Sequence, residues 1–416
     1  MPLPLITVFE DRQKKLPLTE SQKNDILSFR EIIGQNNVRL DYDGTLQIMH
    51  YVGFISKGKT RLQVLPKIYE NEVIDDEKEQ RESMRVLLNL LRTSEFNQPL
   101  QLPEQQSSST NSDILEIFIS LFADKVFNTY SRQMNREYID VTENSKFIKG
   151  KIDFTNNVRI NPIRKDQHVI KYQSFEHDNI INNIIKTVCM KLIYLTKDSE
   201  NKQKLKRALI FLDDAKEISL SKDLIDSAKF NQLNMPFKPV YEMAKMFFYN
   251  NNPESYCGDN TVCSFLIPLN KLYEFYLYKV LDNMGEDFNA KFQEQAVFAV
   301  TEENKNPKYI RPDIIVYKQK DISLIVDAKY KNPNFKNGRY NDISQADIYQ
   351  VFAYARAYGI KKVALIYPQF DKQKPPVEKL YLKDSDADIT LILASIDIKN
   401  SDIKENASYL KSVLDL

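Results

Sequence analysis

The sequence predicts a multidomain protein of the α+β or α/β class, with a β-rich N-terminal domain, a helical middle region and a C-terminal domain of element order αβββαβ. Three observations support this fold class. The chain has 416 residues, which exceeds the size of one typical hydrophobic core. Its composition, 42% hydrophobic and 28% charged, is that of an ordinary globular protein. Its hydrophobic pattern changes along the chain from alternation to helical spacing, and then to a mixture of both.

The predicted N-terminal domain spans residues 1–97 and begins with strand signals. Asp43-Gly44 lies between apolar alternations in NVRLDYDGTLQIMHYVGFI, which is a strong hairpin signal. TRLQVLPKI alternates with period two, so we expect a second hairpin, as in part of a small barrel. Residues 70–93 then change to helical spacing.

The segment GFISKGKT, from Gly53 to Thr60, matches the phosphate-loop pattern G-x-x-x-x-G-K-[ST]. A phosphate loop requires a helix to start at its lysine, because the N–H groups of the helix N-terminus hold the phosphates. The alternating RLQVLP follows Thr60 and indicates a strand. We therefore interpret Gly58-Lys59 as a turn between strands, and a stand-alone P-loop NTPase that uses Lys59 is the least favoured function.

A Ser/Gln-rich segment at residues 98–113 is linker-like, and the predicted middle domain follows at residues 114–255. DILEIFISLFADKVFNTYSRQ and most of residues 179–226 have helical spacing, whereas FIKGKIDFTNNVRIN looks extended. His168 and His177 have no other types of metal ligand nearby, so we expect structural or surface roles for them.

Charge and composition argue against several classes of function. Fifty-eight Lys and Arg residues nearly cancel 57 Asp and Glu residues, so the chain as a whole does not attract nucleic acid. Three cysteines and three histidines are too few for a disulfide framework or a zinc pattern. The sequence has no signal-peptide pattern and no apolar run as long as a membrane span, so we expect a cytoplasmic protein without a membrane partner.

The predicted C-terminal domain, at residues 256–416, alternates helices and strands. The helix LNKLYEFYLYKVLDNM precedes three strand-like runs, FQEQAVFAV, YIRPDIIVYK and DISLIVDAKY. The helix SQADIYQVFAYARAYG and the apolar strand KKVALIYP follow them. This order predicts a mixed sheet that is flanked by helices.

Two carboxylates on neighbouring predicted strands form the strongest candidate site. Asp327 and Lys329 are two residues apart and face the same side of a strand, and a hairpin brings Asp313 close to Asp327. Two carboxylates and a backbone carbonyl suit Mg²⁺ or Mn²⁺, and Glu274 in the preceding helix offers a third carboxylate. Lys329 is placed to orient or deprotonate a water, or to offset charge on a phosphorane. The alternative is a solvated surface ion pair, since D-x-K on a strand is common.

The loop KYKNPNFKNGRYND follows this strand and is polar and basic. Its cationic residues Lys331, Lys336 and Arg339 are candidates for contact with DNA phosphates.

These residues resemble the PD-(D/E)xK nuclease superfamily, with Pro312-Asp313 followed by Asp327-Ala328-Lys329. Gln350 and Tyr354 are similar to the Q-x-x-x-Y signature of its RecB-like branch, and at i and i+4 they share one helix face. The resemblance implies a restriction-endonuclease-like core in which Gln350 and Tyr354 point at the metal and the DNA backbone.

The chain also resembles the McrC family, the nuclease subunits of McrBC-type restriction systems that defend against foreign DNA. The similar segments are LQVLPKI, KGKIDF, FEHDNIINNIIK, LNKLYEFYLYKVL and DIYQVFAYARAYG. The resemblance implies that Asp313, Asp327 and Lys329 are the metal-binding and catalytic triplet. The backbone of Ala328 and the helix carboxylate of Glu274 complete the implied metal site.

The same resemblance implies an Mg²⁺-dependent endodeoxyribonuclease that works with a McrB-type AAA+ GTPase hexamer. The N-terminal part of such proteins engages the ring and stimulates its GTPase, and the substrate is double-stranded DNA with or without modified cytosine. The alternative is a non-catalytic adaptor that regulates the ring and carries a vestigial nuclease fold. The first fifty residues and the segment at 98–113 depart from the family pattern.

Overall fold

The structure is a computed structural model of the chain. It describes residues 5–57, 60–70, 74–93, 114–250, 263–299, 307–333, 335–336, 339–340, 343–370, 377–383 and 388–416. The chain divides into two compact units, one formed by Met1–Ile114 with Asp259–Leu416 and the other by Leu115–Gly258. It is a mixed α/β protein with several sheets, as the sequence predicts.

The described N-terminal residues form six strands and three helices. They are β1 (Leu5–Phe9), β2 (Lys14–Lys15), α1 (Glu20–Ser28), α2 (Arg30–Ile33), β3 (Val38–Leu40), β4 (Thr45–Ile48), β5 (Tyr51–Lys57), β6 (Thr60–Leu65) and α3 (Asp76–Thr93). Both predicted hairpins are present, since β3 pairs with β4 and β5 pairs with β6, each antiparallel. Gly44 has a φ of 87° in the first hairpin, where a Cβ atom would lie 2.5 Å from the carbonyl oxygen of Leu16.

Two expectations for this segment are wrong. The strands belong to two separate sheets, β1-β6-β5-β10 and β2-β4-β3, instead of one small barrel. Helix α1 interrupts the β-rich pattern, because Thr19 and Gln22 form a reciprocal capping box at its start. A short capping signal of this kind is easily overlooked between strand-like runs.

The phosphate-loop string does not lead into a helix. Lys57 pairs with Thr60 across the β5–β6 hairpin, and β6 continues to Leu65 as a strand. Gly58 and Lys59 lie outside the described residues. The strand that begins at Thr60 lacks the helix N-terminus on which phosphate binding by this pattern depends.

The described residues of the middle segment form six helices and three strands. They are α4 (Ile114–Tyr130), β7 (Glu137–Ser145), β8 (Lys151–Ile152), α5 (Phe154–Ile160), β9 (His168–Glu176), α6 (Ile180–Leu195), α7 (Ser199–Ile210), α8 (Lys222–Asp226) and α9 (Lys238–Asn250). The extended interpretation of FIKGKIDFTNNVRIN is wrong over Phe154–Ile160, because Asp153 caps a helix there by accepting the N–H of Asn156 at 3.1 Å. His177 has a structural contact, since its carbonyl accepts a hydrogen bond from the buried amide of Asn182 at 2.8 Å.

The C-terminal segment carries the large sheet. Its elements are β10 (Cys263–Pro268), α10 (Leu269–Asp282), β11 (Phe288–Phe292), β12 (Ala296–Ala299), β13 (Lys308–Ile310), β14 (Ile314–Lys318), β15 (Asp321–Ala328), β16 (Phe335–Lys336), β17 (Arg339–Tyr340), α11 (Gln345–Tyr358), β18 (Lys362–Pro368), β19 (Glu378–Leu382), β20 (Ile389–Ile396) and α12 (Ile403–Val413). The six-stranded sheet has the order β11-β14-β15-β18-β20-β19. Strands β15, β18 and β20 are parallel neighbours, and the other pairs are antiparallel.

Two of the predicted strand runs are each divided in the structure. YIRPDIIVYK splits into β13 and β14, since Pro312 offers no N–H for a strand ladder. FQEQAVFAV splits into β11 and β12 around Gln293, whose φ is 51°. Both breaks fall beside Asp313, because the N–H of Gln293 donates to the carbonyl of Asp313 at 2.9 Å.

Helix α11 covers one face of the large sheet. Val351, Tyr354 and Ala355 of this helix belong to a buried apolar cluster with Ile315 of β14 and Ile325 of β15. Because side chains on a strand alternate between faces, residues two positions away from Ile315 and Ile325 also face α11. Asp313 and Asp327 are such residues.

The N-terminal sheet and helix α10 are joined within one unit. Strand β10 pairs antiparallel with β5, from Cys263 opposite Ser56 to Pro268 opposite Tyr51, and α10 begins directly after it. The pattern of neither segment predicts this pairing. None of the helices in the described part of the chain has the length and apolar character needed to cross a bilayer.

Candidate active site at the ends of strands β14 and β15

The register of β14 and β15 brings the two predicted carboxylates together. Ile314 pairs with Val326 and Ile315 pairs with Ile325, so Asp313 lies opposite Asp327 where the ladder ends. The Oδ2 atom of Asp313 accepts the backbone N–H of Ala328 at 2.8 Å, which fixes this carboxylate against the neighbouring strand. The hairpin predicted from the sequence therefore places both side chains at one end of the sheet.

Asp327 is almost fully buried, with 1% of its surface exposed, and it contacts Lys329. The Oδ2 atom of Asp327 lies 2.6 Å from the Nζ atom of Lys329. The same oxygen is shielded from solvent, and the ammonium of Lys329 faces it as the partner of this ion pair.

Lys329 has two further acceptors, both on helix α11. Its Nζ atom donates to Oε1 of Gln350 at 3.0 Å and lies 3.3 Å from Oδ1 of Asp347. With Asp327, three side-chain acceptors surround one ammonium group, which has three N–H donors. Lys329 therefore has one fixed position beside the two carboxylates.

Gln350 and Tyr354 extend this hydrogen-bond network to the strand that carries Asp313. The amide Nε2 of Gln350 donates to the hydroxyl of Tyr354 at 2.7 Å. That hydroxyl donates to the carbonyl of Arg311 at 3.3 Å, two residues before Asp313. Gln350 and Tyr354, the predicted i, i+4 pair, thus share one face of α11. Gln350 holds Lys329, and Tyr354 contacts the backbone just before β14.

Glu274 approaches the site from helix α10. It is half-buried, and its Oε2 atom accepts a hydrogen bond from Nε2 of Gln293 at 3.2 Å. Gln293 also holds the backbone of Asp313, so one side chain and its main chain connect Glu274 with Asp313. The positive φ of Gln293 places a strained non-glycine residue at the site, as is common at functional positions.

The carboxylates of the site are buried near one another, and this proximity shifts their pKa values. Burial, followed by the charges of Asp327 and Glu274, raises the pKa of Asp313 to about 8. Burial also raises the pKa of Asp327 above its ordinary value, and the nearby Lys329 opposes that shift. Burial raises the pKa of Glu274, to which the charge of Asp327 contributes. The pKa of Lys329 is raised: burial lowers it, but Asp327 and Asp347 together outweigh burial.

This donor set fits a hard divalent cation of the Mg²⁺ type. Asp313 and Asp327 provide two adjacent carboxylates, and Asp327 is almost fully buried. Burial, followed by the charges of Asp327 and Glu274, raises the pKa of Asp313, and a cation bound here would offset that repulsion between carboxylates. Within the described residues, no three His, Cys, Asp or Glu side chains converge closely enough to hold a metal by themselves. Backbone, water or substrate oxygens would therefore complete the coordination, which is the usual arrangement for Mg²⁺.

Of the three candidate DNA contacts, Lys331 is the one whose side chain is described. Its Nζ atom forms an ion pair with Oδ2 of Asp347, and 41% of the side chain is exposed. The side chains of Lys336 and Arg339 lie outside the described part of the chain, although their backbones pair in the β16–β17 hairpin. Contact of these three residues with DNA stays a prediction.

Sequence analysis missed two residues that shape this site, Asp347 and Gln293. Asp347 lies three residues before Gln350, and that spacing puts both on the same helix face as Tyr354. The pattern D-x-x-Q-x-x-x-Y was thus a usable signal for Asp347. Gln293 carries no such signal, because its role depends on a backbone break and on contacts with distant segments.

Comparison with known proteins adds a family model and two solved structures. The family model described as a McrBC 5-methylcytosine restriction system component matches residues 46–368. A refined half-complex from a tetradecameric assembly of Thermococcus gammatolerans McrB AAA+ hexamers with bound McrC contains a similar chain, with a TM-score of 0.71 and 18% identity over 98% of this chain and 99% of that chain. A chain in the cryo-EM structure of the Thermococcus gammatolerans McrBC complex is also similar, with a TM-score of 0.53 and 20% identity over 68% of this chain and 89% of that chain. No curated protein sequence matches. At these identities, the structural likeness shows a shared fold.

Proposed function

The chain belongs to the McrBC 5-methylcytosine restriction system component family, and on that premise we propose that it is the McrC-type nuclease subunit of such a system. Its activity is metal-dependent cleavage of double-stranded DNA, carried out when it is assembled with a McrB-type AAA+ GTPase hexamer whose GTPase it stimulates. The C-terminal segment is the PD-(D/E)xK nuclease core. The domain division proposed from the sequence is residues 1–97, 98–113, 114–255 and 256–416, and most of the first and last of these segments belong to one compact unit.

One observation carries the nuclease proposal. Asp327 is buried and Asp313 is partly buried at one end of the sheet, and Lys329 forms an ion pair of 2.6 Å with Asp327. A surface ion pair of no function would be solvated, whereas the Asp327 carboxylate is shielded from water. Groups that are buried against one another in this way are typical of active sites.

Asp313 and Asp327 would hold the metal, with the backbone carbonyl of Ala328 and with Glu274 as further oxygen donors. When bound, Mg²⁺ or Mn²⁺ supplies Lewis-acid polarisation of a phosphodiester and lowers the pKa of a water that it binds. Glu274 is half-buried and is connected to Asp313 through Gln293, so it supports this set from the α10 side.

Lys329 is the side chain that we assign to the water and to the negative charge of the phosphorane. The raised pKa of its ammonium favours the charged form, so Lys329 acts by orienting water and by stabilising negative charge on the phosphorane. Gln350 holds that ammonium at 3.0 Å, and Tyr354 orients Gln350. Lys331, with Lys336 and Arg339, supplies positive charge to neighbouring phosphates of the DNA backbone.

The partner proposal rests on the family and on the fold. In the similar Thermococcus gammatolerans structure, McrC is bound to McrB AAA+ hexamers, and the likeness covers 98% of this chain. A net charge of +1 also suits a subunit that receives its DNA from a translocating partner instead of capturing it alone.

Reconstitution tests the proposed function. The purified chain is mixed with its McrB-type partner, GTP, Mg²⁺ and methylated double-stranded DNA, and both cleavage and GTP hydrolysis are measured. We expect cleavage only in the complete mixture, together with faster GTP hydrolysis than the partner shows alone. Stimulated GTP hydrolysis without any nicking would instead identify a non-catalytic adaptor.

Metal affinity is expected to depend on pH. The pKa of Asp313 is about 8 in the metal-free protein, so below that pH a metal ion must displace a proton from the site. We expect the affinity for Mn²⁺ to rise up to about tenfold per pH unit between about pH 6 and about pH 8, and then to level off. Isothermal titration calorimetry with MnCl₂ on the chain alone measures this.

Asp313→Asn should weaken Mn²⁺ binding and remove most of its pH dependence. Asp321→Asn is the matched control, because Asp321 is exposed at the far end of β15. An affinity that stays constant between pH 6 and 8 in the unaltered chain would contradict the assignment of Asp313 as a ligand.

A further inference from the structure

Asp347 is a buried carboxylate whose two oxygens each contact a lysine. Only 8% of the residue is exposed. Its Oδ1 atom lies 3.3 Å from Nζ of Lys329, and its Oδ2 atom forms an ion pair with Nζ of Lys331. Neither the family assignment nor the proposed metal site gives this residue a function.

The position of Asp347 in its helix offers a purely structural explanation. It lies in the first turn of α11, three residues after the N-cap Ser344, where an acidic side chain stabilises the helix dipole. Such an effect is about 0.3–1 kcal/mol and does not require burial. The hydroxyl of Ser344 accepts the N–H of Ala346 at 3.1 Å, so the helix start is already capped. Capping of the helix therefore does not explain why the Asp347 carboxylate is buried and contacts two lysines.

The role of Asp347 rests on the proposed function, in which the three acceptors of Lys329 are not equivalent. Asp327 is a proposed metal ligand, and an oxygen that binds a metal has less negative charge to offer an ammonium. Asp347 and Gln350 are outside the proposed ligand set, so their contacts with Lys329 do not compete with metal binding. Among these three acceptors, loss of Asp347 would leave Lys329 with the neutral amide of Gln350 as its one contact independent of the metal.

We propose that Asp347 is a positioning residue that holds the ammonium of Lys329 at the scissile phosphate, while the second oxygen of Asp347 is tied to Lys331. Its buried carboxylate balances the charge of Lys329 through one oxygen, while the other oxygen pairs with the more exposed Lys331. Asp347 acts through Lys329 and does not touch substrate or metal. The raised pKa of Lys329, to which Asp347 contributes, agrees with this role.

The test compares Asp347→Asn with the unaltered full chain in the reconstituted reaction. Asp347→Asn keeps the size of the side chain and removes its charge. We expect kcat to fall about 30- to 100-fold, as for residues that orient catalytic groups, with KM for DNA changed less than about threefold. Asp347→Glu restores the charge and should recover part of kcat. Mn²⁺ affinity of Asp347→Asn, measured by calorimetry, should stay within about threefold of the unaltered chain.

Two controls separate the proposed role from its alternatives. Glu405→Gln removes a first-turn acid from α12, away from the site, and should leave kcat unchanged. Lys331→Ala should raise KM for DNA more than it lowers kcat, because Lys331 is exposed and is proposed to contact phosphate. If Lys331→Ala reproduces the whole kcat loss of Asp347→Asn, Asp347 acts through Lys331 and the proposal is wrong. If Asp347→Asn and Glu405→Gln change kcat by equal, small amounts, Asp347 only stabilises the start of its helix and the proposal is wrong.

Crystal structures of the unaltered chain and of Asp347→Asn give a readout that does not depend on cleavage. We expect Nζ of Lys329 to leave its place beside Gln350 or to occupy several positions in the variant. An unmoved Lys329 would overturn the positioning role even if activity falls. Failure of the unaltered chain to cleave DNA would overturn the proposed nuclease function, whereas the two structures would still decide whether Asp347 holds Lys329.

Discussion

Asp327→Asn and Lys329→Ala are each expected to lower DNA cleavage by at least about 10³-fold, which corresponds to about 4 kcal/mol of transition-state stabilisation. Asp327 is the most buried carboxylate of the candidate site, and the neutral amide of an asparagine in its place binds Mg²⁺ more weakly than the carboxylate does. Lys329 is held by three acceptors in one position, and an alanine there removes the ammonium that lies beside the two carboxylates. Cleavage rates in the reconstituted mixture measure both effects.

Matched controls lie on the same hairpin. Asp321→Asn and Lys320→Ala change the same residue types at the opposite, exposed end of β15, and each should retain full cleavage. GTP hydrolysis by the partner should still be stimulated by all four variants, since none of them alters the N-terminal segment. Unchanged cutting by Asp327→Asn or by Lys329→Ala would remove the assigned site, and lost GTPase stimulation would point to misfolding instead.

The sequence was sufficient for the part of the site that depends on local rules. Alternation along a strand puts Asp327 and Lys329 on one face, and hairpin pairing puts Asp313 opposite Asp327. The i, i+4 spacing of Gln350 and Tyr354 likewise follows from helix geometry. These relations hold between residues that are near in sequence or in directly paired strands, so the pattern alone predicts them.

The remaining part of the site depends on contacts between distant segments. Gln293 bridges Glu274 and Asp313 only because β11 ends where the chain bends at a positive φ. The pairing of β10 with β5 joins segments that are far apart in the chain, and the hydrophobic pattern of neither strand predicts it. Packing of this kind is decided by the whole core, whereas sequence periodicity reports only which face of each element is apolar.

Those distant contacts also connect the N-terminal sheet to strand β15, which carries Asp327. Tyr330 follows Lys329 directly, and its hydroxyl donates to the carbonyl of Lys67 at 3.2 Å, just beyond β6. Its ring packs edge-on against Tyr273 of α10 and against Phe370. The N–H of Glu10 donates to the carbonyl of Leu65 at 2.8 Å, at the end of β6, so this buried carboxyl group lies close to the same junction. Burial, followed by the charge of Glu10, raises the pKa of the Tyr330 hydroxyl.

Glu10→Gln is expected to stabilise the protein at alkaline pH and to leave its stability nearly unchanged at acid pH. Glu10 is 7% exposed, and burial followed by the charge of Asp11 raises its pKa from 4.5 to about 7. Below the unfolded-state pKa both states carry the proton, so the carboxyl group costs nothing. Between about pH 4.5 and about pH 7 the unfolded chain has lost the proton that folded Glu10 still holds, so stability falls across this window and then levels off. The full difference is about 3 kcal/mol, since each pKa unit corresponds to about 1.4 kcal/mol.

Urea unfolding of Glu10→Gln and of the unaltered chain, from about pH 5 to about pH 8.5, measures that difference. The comparison cancels the contributions of Asp313 and the other carboxylates with raised pKa, because both proteins contain them. Asp11→Asn offers a second test, since asparagine tolerates the φ of 57° at that position and removes the charge that raises the pKa of Glu10. In that variant the loss of stability should again begin near pH 4.5, where the unfolded chain titrates, but it should end below pH 7 and be smaller, because burial still raises the pKa of Glu10 while the charge of Asp11 no longer does. A stability difference between Glu10→Gln and the unaltered chain that does not change with pH would show that Glu10 stays ionised in the folded protein, held by the N–H of His50 that it accepts at 3.1 Å.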